Sequence, residues 1–243
     1  MPLIKCPECG KMISEYANAC PNCGCPKDAF SKLKSENGAS ILVSKESLDT
    51  REDNFSNGKK DIHKGDLFEF GNYFRENGQS EKIQWIVIKE LDGKKLLITK
   101  DVIAAKTYNS FGSATDWIHS SLRKWLNSEF LSDAFSEEES NEIVLGNDGD
   151  KIFLLDSNEI RLLMTKEERV CTATNYAKGQ GATVGLLRPC SCYWLKSDNP
   201  TDFAPMVFGG GSITGDPMSD GVTLRGGKYV GDVEGVRPSL WIS

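Results

Sequence analysis

Residues Thr115–Phe130 read TDWIHSSLRKWLNSEF and hold two of the chain's five tryptophans. Leu122, Trp125, Leu126 and Phe130 recur at i, i+3, i+4 and i+8, one stripe of an α-helix. An apolar stripe must be covered, and Trp117 just upstream makes the same demand. The stretch is therefore expected to be the core helix of a larger domain, with Ser120 or Ser121 as its N-cap. On that reading Trp125→Ala costs about 3–5 kcal/mol, the range for large aromatic deletions in cores.

Toward the N-terminus, Gln84–Ile88 and Lys95–Thr99 are apolar runs on either side of Asp92-Gly93, a hairpin signal, and Leu67–Phe70 reads as an earlier strand. Toward the C-terminus, Ser136 and Glu139 have capping-box spacing. Lys151–Leu155 reads as a buried strand, closed by Asp156-Ser157 ahead of a short helix, and Thr165–Glu168 caps another turn. From Val170 the chain is rich in glycine and shows no convincing helix. Tyr193–Leu195, Phe203–Phe208, Gly221–Leu224, Lys228–Val230 and Val236–Ile242 read as short strands. Strands, then two or three helices, then strands predict an α+β fold with segregated antiparallel sheets over residues 65–243.

Residues 5–26 are of another kind. Lys-Cys-Pro-Glu-Cys-Gly is echoed by Ala-Cys-Pro-Asn-Cys-Gly, so Cys6, Cys9, Cys20 and Cys23 form C-x2-C-x10-C-x2-C. Two residues between cysteines let a tight turn aim both thiolates at one tetrahedral ion, and Gly10 and Gly24 follow each pair where the backbone must turn. So short a piece lacks a self-sufficient core, and zinc coupled to folding supplies the deficit. The set resembles the short zinc ribbon at the start of many bacterial proteins. Four thiolates leave no open coordination position, so the Zn2+ is expected to be structural, and Cys25 is a surplus thiol. Residues 27–64 read as a flexible linker, polar and mixed in charge. Only Ile41-Leu42-Val43 could pack, a short helix is expected near Ala29–Lys34, and His63 is expected to be solvated.

The charge balance limits the choice of partner. Residues 65–243 carry 19 Lys/Arg against 26 Asp/Glu, a poor match to nucleic-acid phosphate. No apolar run approaches the ~20 residues of a membrane span, and no signal-peptide pattern opens the chain. Five of the eight cysteines lie within Cys6–Cys25, four at metal-ligand spacing, which fits a reducing compartment. The expected location is the cytoplasm.

Several motifs recur together. They are Trp85–Ile88 with Leu96–Ile98, Trp117…Ser121–Asn127, Ala134–Ser136…Glu139, Phe153–Leu155, Tyr193–Ser197 and the closing Gly235–Ile242. In that order they resemble a family of uncharacterised bacterial domains that often follows a zinc ribbon. The tail order, Trp-Leu-x-Ser, Gly-rich strands and a last Gly-Val-Arg strand, more distantly resembles the C-type-lectin-like fold. That group includes sugar and protein binders and the formylglycine-generating oxidases. The resemblance implies that the first and last strands pair, over two helices and beneath a loop-rich β region. It carries over no catalytic residue, and fold alone does not give function.

Few residues outside the ribbon suggest chemistry. Calcium would need Asp198, Asn199, Asp202, Asp216 and Asp220 gathered together, but the usual lectin triplets are missing and these are ordinary turn residues. Oxidase chemistry would rest on Cys171, Cys190 and Cys192, with Cys190 and Cys192 on one face of a strand and able to take a soft metal ion. Burial as small apolar residues is the commoner fate of free cysteine. His63 and His119 sit in no nucleophile motif. Gly209–Gly211 and Gly226-Gly227 read as β-turns rather than phosphate cradles. Arg237 is expected to be buried, locking the terminus onto an acid or onto carbonyl oxygens. Tyr193 and Tyr229 could line a recognition face.

The reading that results is a non-enzymatic module. A structural zinc ribbon (residues 1–26) is tethered by a linker (residues 27–64) to a lectin-like domain (residues 65–243). That domain binds a protein or small-molecule ligand on its Gly-rich loop face, near Trp194 and Gly209–Gly211. The rival is a metal-dependent enzyme using Cys190 and Cys192. A third reading makes the ribbon a nucleic-acid contact, on a weak excess of five Lys over three acids in residues 1–34.

Overall fold

A computed structural model of the 243-residue chain describes residues 3–5, 12–14, 62–74, 79–185, 189–216 and 226–243. The chain divides into two compact units, Met1–Ser56 and Asn57–Ser243. In the first, β1 (Leu3–Lys5) pairs antiparallel with β2 (Met12–Ser14), Lys5 opposite Met12. Cys6, Cys9, Cys20, Cys23, Cys25 and the expected linker helix lie outside the described residues, as does the expected strand Gly221–Leu224.

The second unit opens with β3 (Leu67–Phe74), β4 (Ser80–Leu91), β5 (Lys94–Thr99) and β6 (Ala104–Thr107). The turn between β4 and β5 has Asp92 at φ 51° and Gly93 at φ 76°. Two positive φ values make the type I′ turn whose twist matches the strands, as the Asp-Gly pair predicts. The Thr115–Phe130 stretch becomes α1 (Ser121–Trp125) and a π-helical turn (Leu126–Phe130), continued by α2 (Leu131–Ala134). Further on come α3 (Glu137–Glu142), β7 (Ile143–Val144), β8 (Ile152–Phe153), α4 (Ser157–Leu163), α5 (Lys166–Arg169) and α6 (Asn175–Gly179). The closing strands are β9 (Tyr193–Trp194), β10 (Phe203–Ala204), β11 (Met206–Val207), β12 (Lys228–Tyr229), β13 (Val233–Val236) and β14 (Ser239–Ile242).

The largest sheet runs β3-β4-β5-β14-β7, with β8 also on β14. A second runs β11-β9-β13-β6, and β10 pairs with β12 apart from both. Pairing is antiparallel except between β13 and β9. This is α+β, as expected. Among the described residues the implied pairing of first and last strands is not found: β14 lies against β5, β7 and β8, and β3 against β4. β3 and β5 flank β4, which leaves the far edge of β5 for the terminal strand.

Ser120 is the N-cap, its hydroxyl accepting from the Arg123 amide at 3.1 Å. The helix therefore starts at Ser121, as the expected cap places it, and Thr115 upstream is bridged to Thr201. Leu122, Leu126 and Phe130 are buried, but Trp125 is only half-buried, under the Lys106 ammonium at 4.6 Å. Phe130 meets Tyr73 and Phe135, and Phe135 meets Phe70 and Trp85, so this helix packs on β3 and β4. Gly71 has φ 70°, and a Cβ there would lie 2.6 Å from the Phe135 ring. Only glycine allows that bulged strand so close to the helix end.

The capping boxes at Ser136–Glu139 and Thr165–Glu168 form as expected, and Asp156–Glu159 makes a third. Three local expectations need correction. A helix, α6, lies beyond Val170, capped by Thr174. Phe203–Phe208 is cut at Pro205 into strands of different sheets, since proline lacks a ladder donor. Val236–Ile242 is likewise cut at Arg237-Pro238, where the chain leaves one sheet for the other.

Candidate functional site

The site is built where β10 and β12 meet the loop before α1. Phe203 stands opposite Tyr229. Ala204 is buried, so alternation along β10 turns Phe203 outward. The two rings meet edge-on with centroids 6.0 Å apart. The Tyr229 hydroxyl donates to the Gly112 carbonyl, which ties β12 to the loop that carries Phe111. Glycine permits this closeness. A Cβ on Gly231 would lie 2.7 Å from the Tyr229 ring and 3.2 Å from the Gly112 Cα, and one on Gly227 would collide with the Ala204 carbonyl. Phe111, Phe203 and Tyr229 are 87%, 56% and 39% exposed. Large apolar groups grouped in this way mark interaction surfaces more often than scattered ones do.

Phe111 also borders a cleft of about 740 Å³ lined by Asn109, Ser113, His119, Lys124 and Asn127. His119 Nδ1 lies 2.7 Å from Asp116 Oδ1. Burial alone would raise the Asp116 carboxyl, but the His119 amide and ring hold it below the usual range. Arg123 is committed elsewhere: its Nε donates at 2.8 Å to both oxygens of buried Asp150, which also accepts from Trp117 Nε1 at 3.0 Å. Asn127 is equally occupied. Its amide donates to the Arg123 and Ile152 carbonyls, and its oxygen accepts from the Lys151 and Ile152 amides. The role of Asn127 is not legible in the sequence, because nothing local marks an amide that serves two distant segments.

A second cavity, about 330 Å³, lies between the large sheet and α4, lined by Leu96, Leu145, Leu162, Trp241, Glu159 and Lys196 among others. Lys196 Nζ is 3.0 Å from Asp148 Oδ2 and 3.9 Å from Glu159 Oε2. Burial opposes the Lys196 charge, yet these acids raise its pKa, so it is no base near neutrality. Burial raises Glu159, whose carboxylate is spent capping α4 through the Asp156 amide at 2.9 Å.

The residues singled out in the sequence fall in different places. The Ser191 amide donates to the Cys171 carbonyl at 2.8 Å, which brings Cys190 and Cys192 near buried Cys171. Cys190 and Cys192 lie outside any named strand, flanking an isolated bridge of Ser191 to Val184. Burial pushes the Cys171 thiol up to about 11 and raises Cys192 as well. Activated thiols shift the other way. Asp216 pairs with Arg161 at 2.9 Å, while Asp198 and Asp202 are exposed and Asp220 lies outside the described residues. Among the described residues no group of three His, Cys, Asp or Glu is placed to hold a metal. Tyr193 and Trp194 are buried, so of the proposed aromatics only Tyr229 reaches the surface. Gly209 and Gly211 are packed rather than open: a Cβ on Gly209 would lie 3.1 Å from the Cys190 carbonyl, and one on Gly211 would collide with that of Lys166. Arg237 is 2% exposed and donates to the Thr99, Arg169 and Lys100 carbonyls and the Tyr193 hydroxyl, so carbonyls rather than an acid hold it.

Fold and surface together define an α+β domain with two principal sheets and an outward aromatic face. Residues 92–243 match the family described as a domain of unknown function (DUF6273), and the chain belongs to that family. Searches of curated proteins and of solved structures found no match. Among the described residues no helix is long and apolar enough to cross a membrane.

Proposed function

We propose that the protein is a binding module, with a structural zinc ribbon and a DUF6273 domain that engages a protein partner through Phe111, Phe203 and Tyr229. The exposed aromatic face carries this reading, because those rings take up no core position that would account for them. The charged groups inside the domain point the same way. Arg237, Arg123, Asp150, Glu159 and Lys196 are spent on carbonyls, caps and ion pairs. The raised thiols of Cys171 and Cys192 argue against the rival in which Cys190 and Cys192 act as a catalytic pair.

For the ribbon, support comes from the Cys6, Cys9, Cys20 and Cys23 spacing and from the β1–β2 pairing. β1 ends at Lys5 and its antiparallel partner β2 begins at Met12, on either side of Cys6 and Cys9 in sequence. Zinc there would cross-link the ribbon and do no chemistry. Metal analysis is expected to find about one zinc per chain, falling to none when Cys6 and Cys9 are both changed to Ser. Zinc-free protein from a zinc-replete preparation would remove the claim.

The binding reading is tested by cross-linking the full chain to its partners in cells, beside a variant with Phe111, Phe203 and Tyr229 all changed to Ala. Loss of discrete adducts in a variant of unchanged melting temperature supports it. Unchanged adducts, or substrate turnover abolished by Cys190→Ser with Cys192→Ser, would overturn it.

A further inference from the structure

The cavity between the large sheet and α4 shares no residue with the aromatic face, and its lining is of a different kind. Its floor is a cross-strand row in which Trp241 of β14 stands opposite Leu96 of β5 and Val144 of β7. Leu162 on α4 and Leu145 on the loop after β7 also line it, and they are 84% and 60% exposed. Among these apolar groups sits a cation, Lys196, whose side chain is only 10% exposed. Its Nζ donates to Asp148 Oδ2 at 3.0 Å and stands 3.9 Å from Glu159 Oε2. The second distance is too long for a hydrogen bond, so the ammonium has donors to spare. Asp148 uses Oδ2 and Glu159 uses Oε2 in these contacts, and each keeps a second oxygen to offer. On the other side of β14, the β4–β5 hairpin adds Lys89, Asp92 and Lys94. The lining therefore carries both signs of charge on both sides of β14, around an apolar floor.

We propose that this cavity binds a free amino acid with an apolar side chain. The ligand carboxylate accepts from Lys196, and its ammonium donates to the second oxygens of Asp148 and Glu159. Its side chain lies on Trp241, beside Leu145 and Leu162. Size and charge together select this class. A volume of about 330 Å³ is near the lower end of the ~300–1,000 Å³ of ligand pockets, which suits a small molecule rather than a peptide. A ligand charged only by a carboxylate would meet Asp148 and Glu159, and one charged only by an ammonium would meet Lys196. An uncharged apolar ligand would shut the spare donors of Lys196 away from water with no acceptor. A zwitterion answers both signs with one molecule.

The test is isothermal titration calorimetry of the full chain with L-leucine, L-phenylalanine and L-tryptophan. Three controls each remove one feature: L-leucinamide the carboxylate, N-acetyl-L-leucine the ammonium, and glycine the side chain. At least one of the apolar amino acids is expected to saturate at about one per chain, with every control at least about tenfold weaker. Leu162→Asp and, separately, Asp148→Asn should each weaken that binding at least about tenfold. Leu162 is exposed, so its variant should keep the melting temperature of the parent, and its loss of binding is then not loss of fold. No saturable heat from any of the three at up to about 10 mM would overturn the assignment. Leucinamide or N-acetyl-leucine binding as tightly as leucine would overturn the zwitterion, and glycine binding as tightly would overturn the apolar pocket. Binding that either variant leaves unchanged would overturn this cavity as the site. None of these results bears on Phe111, Phe203 and Tyr229, so this assignment and the protein-binding reading fail separately.

Discussion

Arg237 shows how a cation can be buried without a carboxylate. Its four bonds join the end of β5, the last residue of α5 and β9, with Nε at 2.8 Å from the Thr99 carbonyl. Without the guanidinium these carbonyls lose a donor, and only that of Arg169 is seen to keep another, the Tyr193 hydroxyl, so removing it costs more than the bonds are worth. Arg237→Met is expected to lower unfolding stability by at least about 3 kcal/mol. Arg237→Lys should recover only part of it, because an ammonium cannot span the fork; both are read by urea unfolding. Burial of Arg237 was legible from its place in a terminal apolar strand. Its partners were not, because carbonyls leave no mark on sequence. Asp216 is a second case. Burial would raise its carboxyl, but the Ile213 amide and Arg161 hold it below the usual range. A folded pKa below the unfolded one gives stability that is present above the unfolded value of ~3.9 and is lost as pH falls through the folded value. Asp216→Asn should flatten the acid limb of the melting temperature between about pH 5 and pH 2. A limb unchanged in slope would show that the Arg161 pair contributes nothing.

At the scale of elements, the helix that follows Ser120 separates what periodicity reveals from what it cannot. Steps of four residues overshoot each α-helical turn by ~40°, so Leu122, Leu126 and Phe130 would drift around a regular helix. The wider π-helical turn at Leu126–Phe130 reduces that drift and keeps all three residues in the core. Trp125 falls to the edge, half-covered beneath Lys106. Leu126→Ala is therefore expected to cost about 2–5 kcal/mol, and Trp125→Ala less than that, the reverse of the order implied by side-chain size alone. Calorimetry of the two variants decides, and a larger loss for Trp125→Ala would return that ring to the core. The capping boxes and the Asp92-Gly93 turn were legible because their partners lie within four residues. The helix Asn175–Gly179 was hidden by its shortness and by Gly179 and Gly181 at its end, and the break at Pro205 by the apolar residues around it. The aromatic face was harder still. Phe111, Phe203 and Tyr229 come from three distant segments, joined by two-residue strands and by glycines that tolerate no Cβ.

At the scale of the whole domain, the family match and the physical unit do not share a boundary. The match begins at Asp92, inside the turn that joins β4 to β5. A fragment cut there loses Phe70, Tyr73, Ile83, Trp85, Val87 and Ile88, all buried. It also strips one edge of β5 of its hydrogen bonds and uncovers the faces of Phe130 and Phe135 that pack on Tyr73, Phe70 and Trp85. Six such side chains contribute about 1.5–3 kcal/mol each, a sum comparable to the whole stability of ordinary domains. The unpaired β5 would in addition be an open template for aggregation. Residues 92–243 alone are therefore expected to show no cooperative thermal transition and to aggregate, whereas residues 57–243 should unfold in one transition. If the shorter fragment melted cooperatively at the same temperature, the β3–β4 hairpin would be an appendage. The core would then have to be redrawn around β5, β14 and the helix after Ser120.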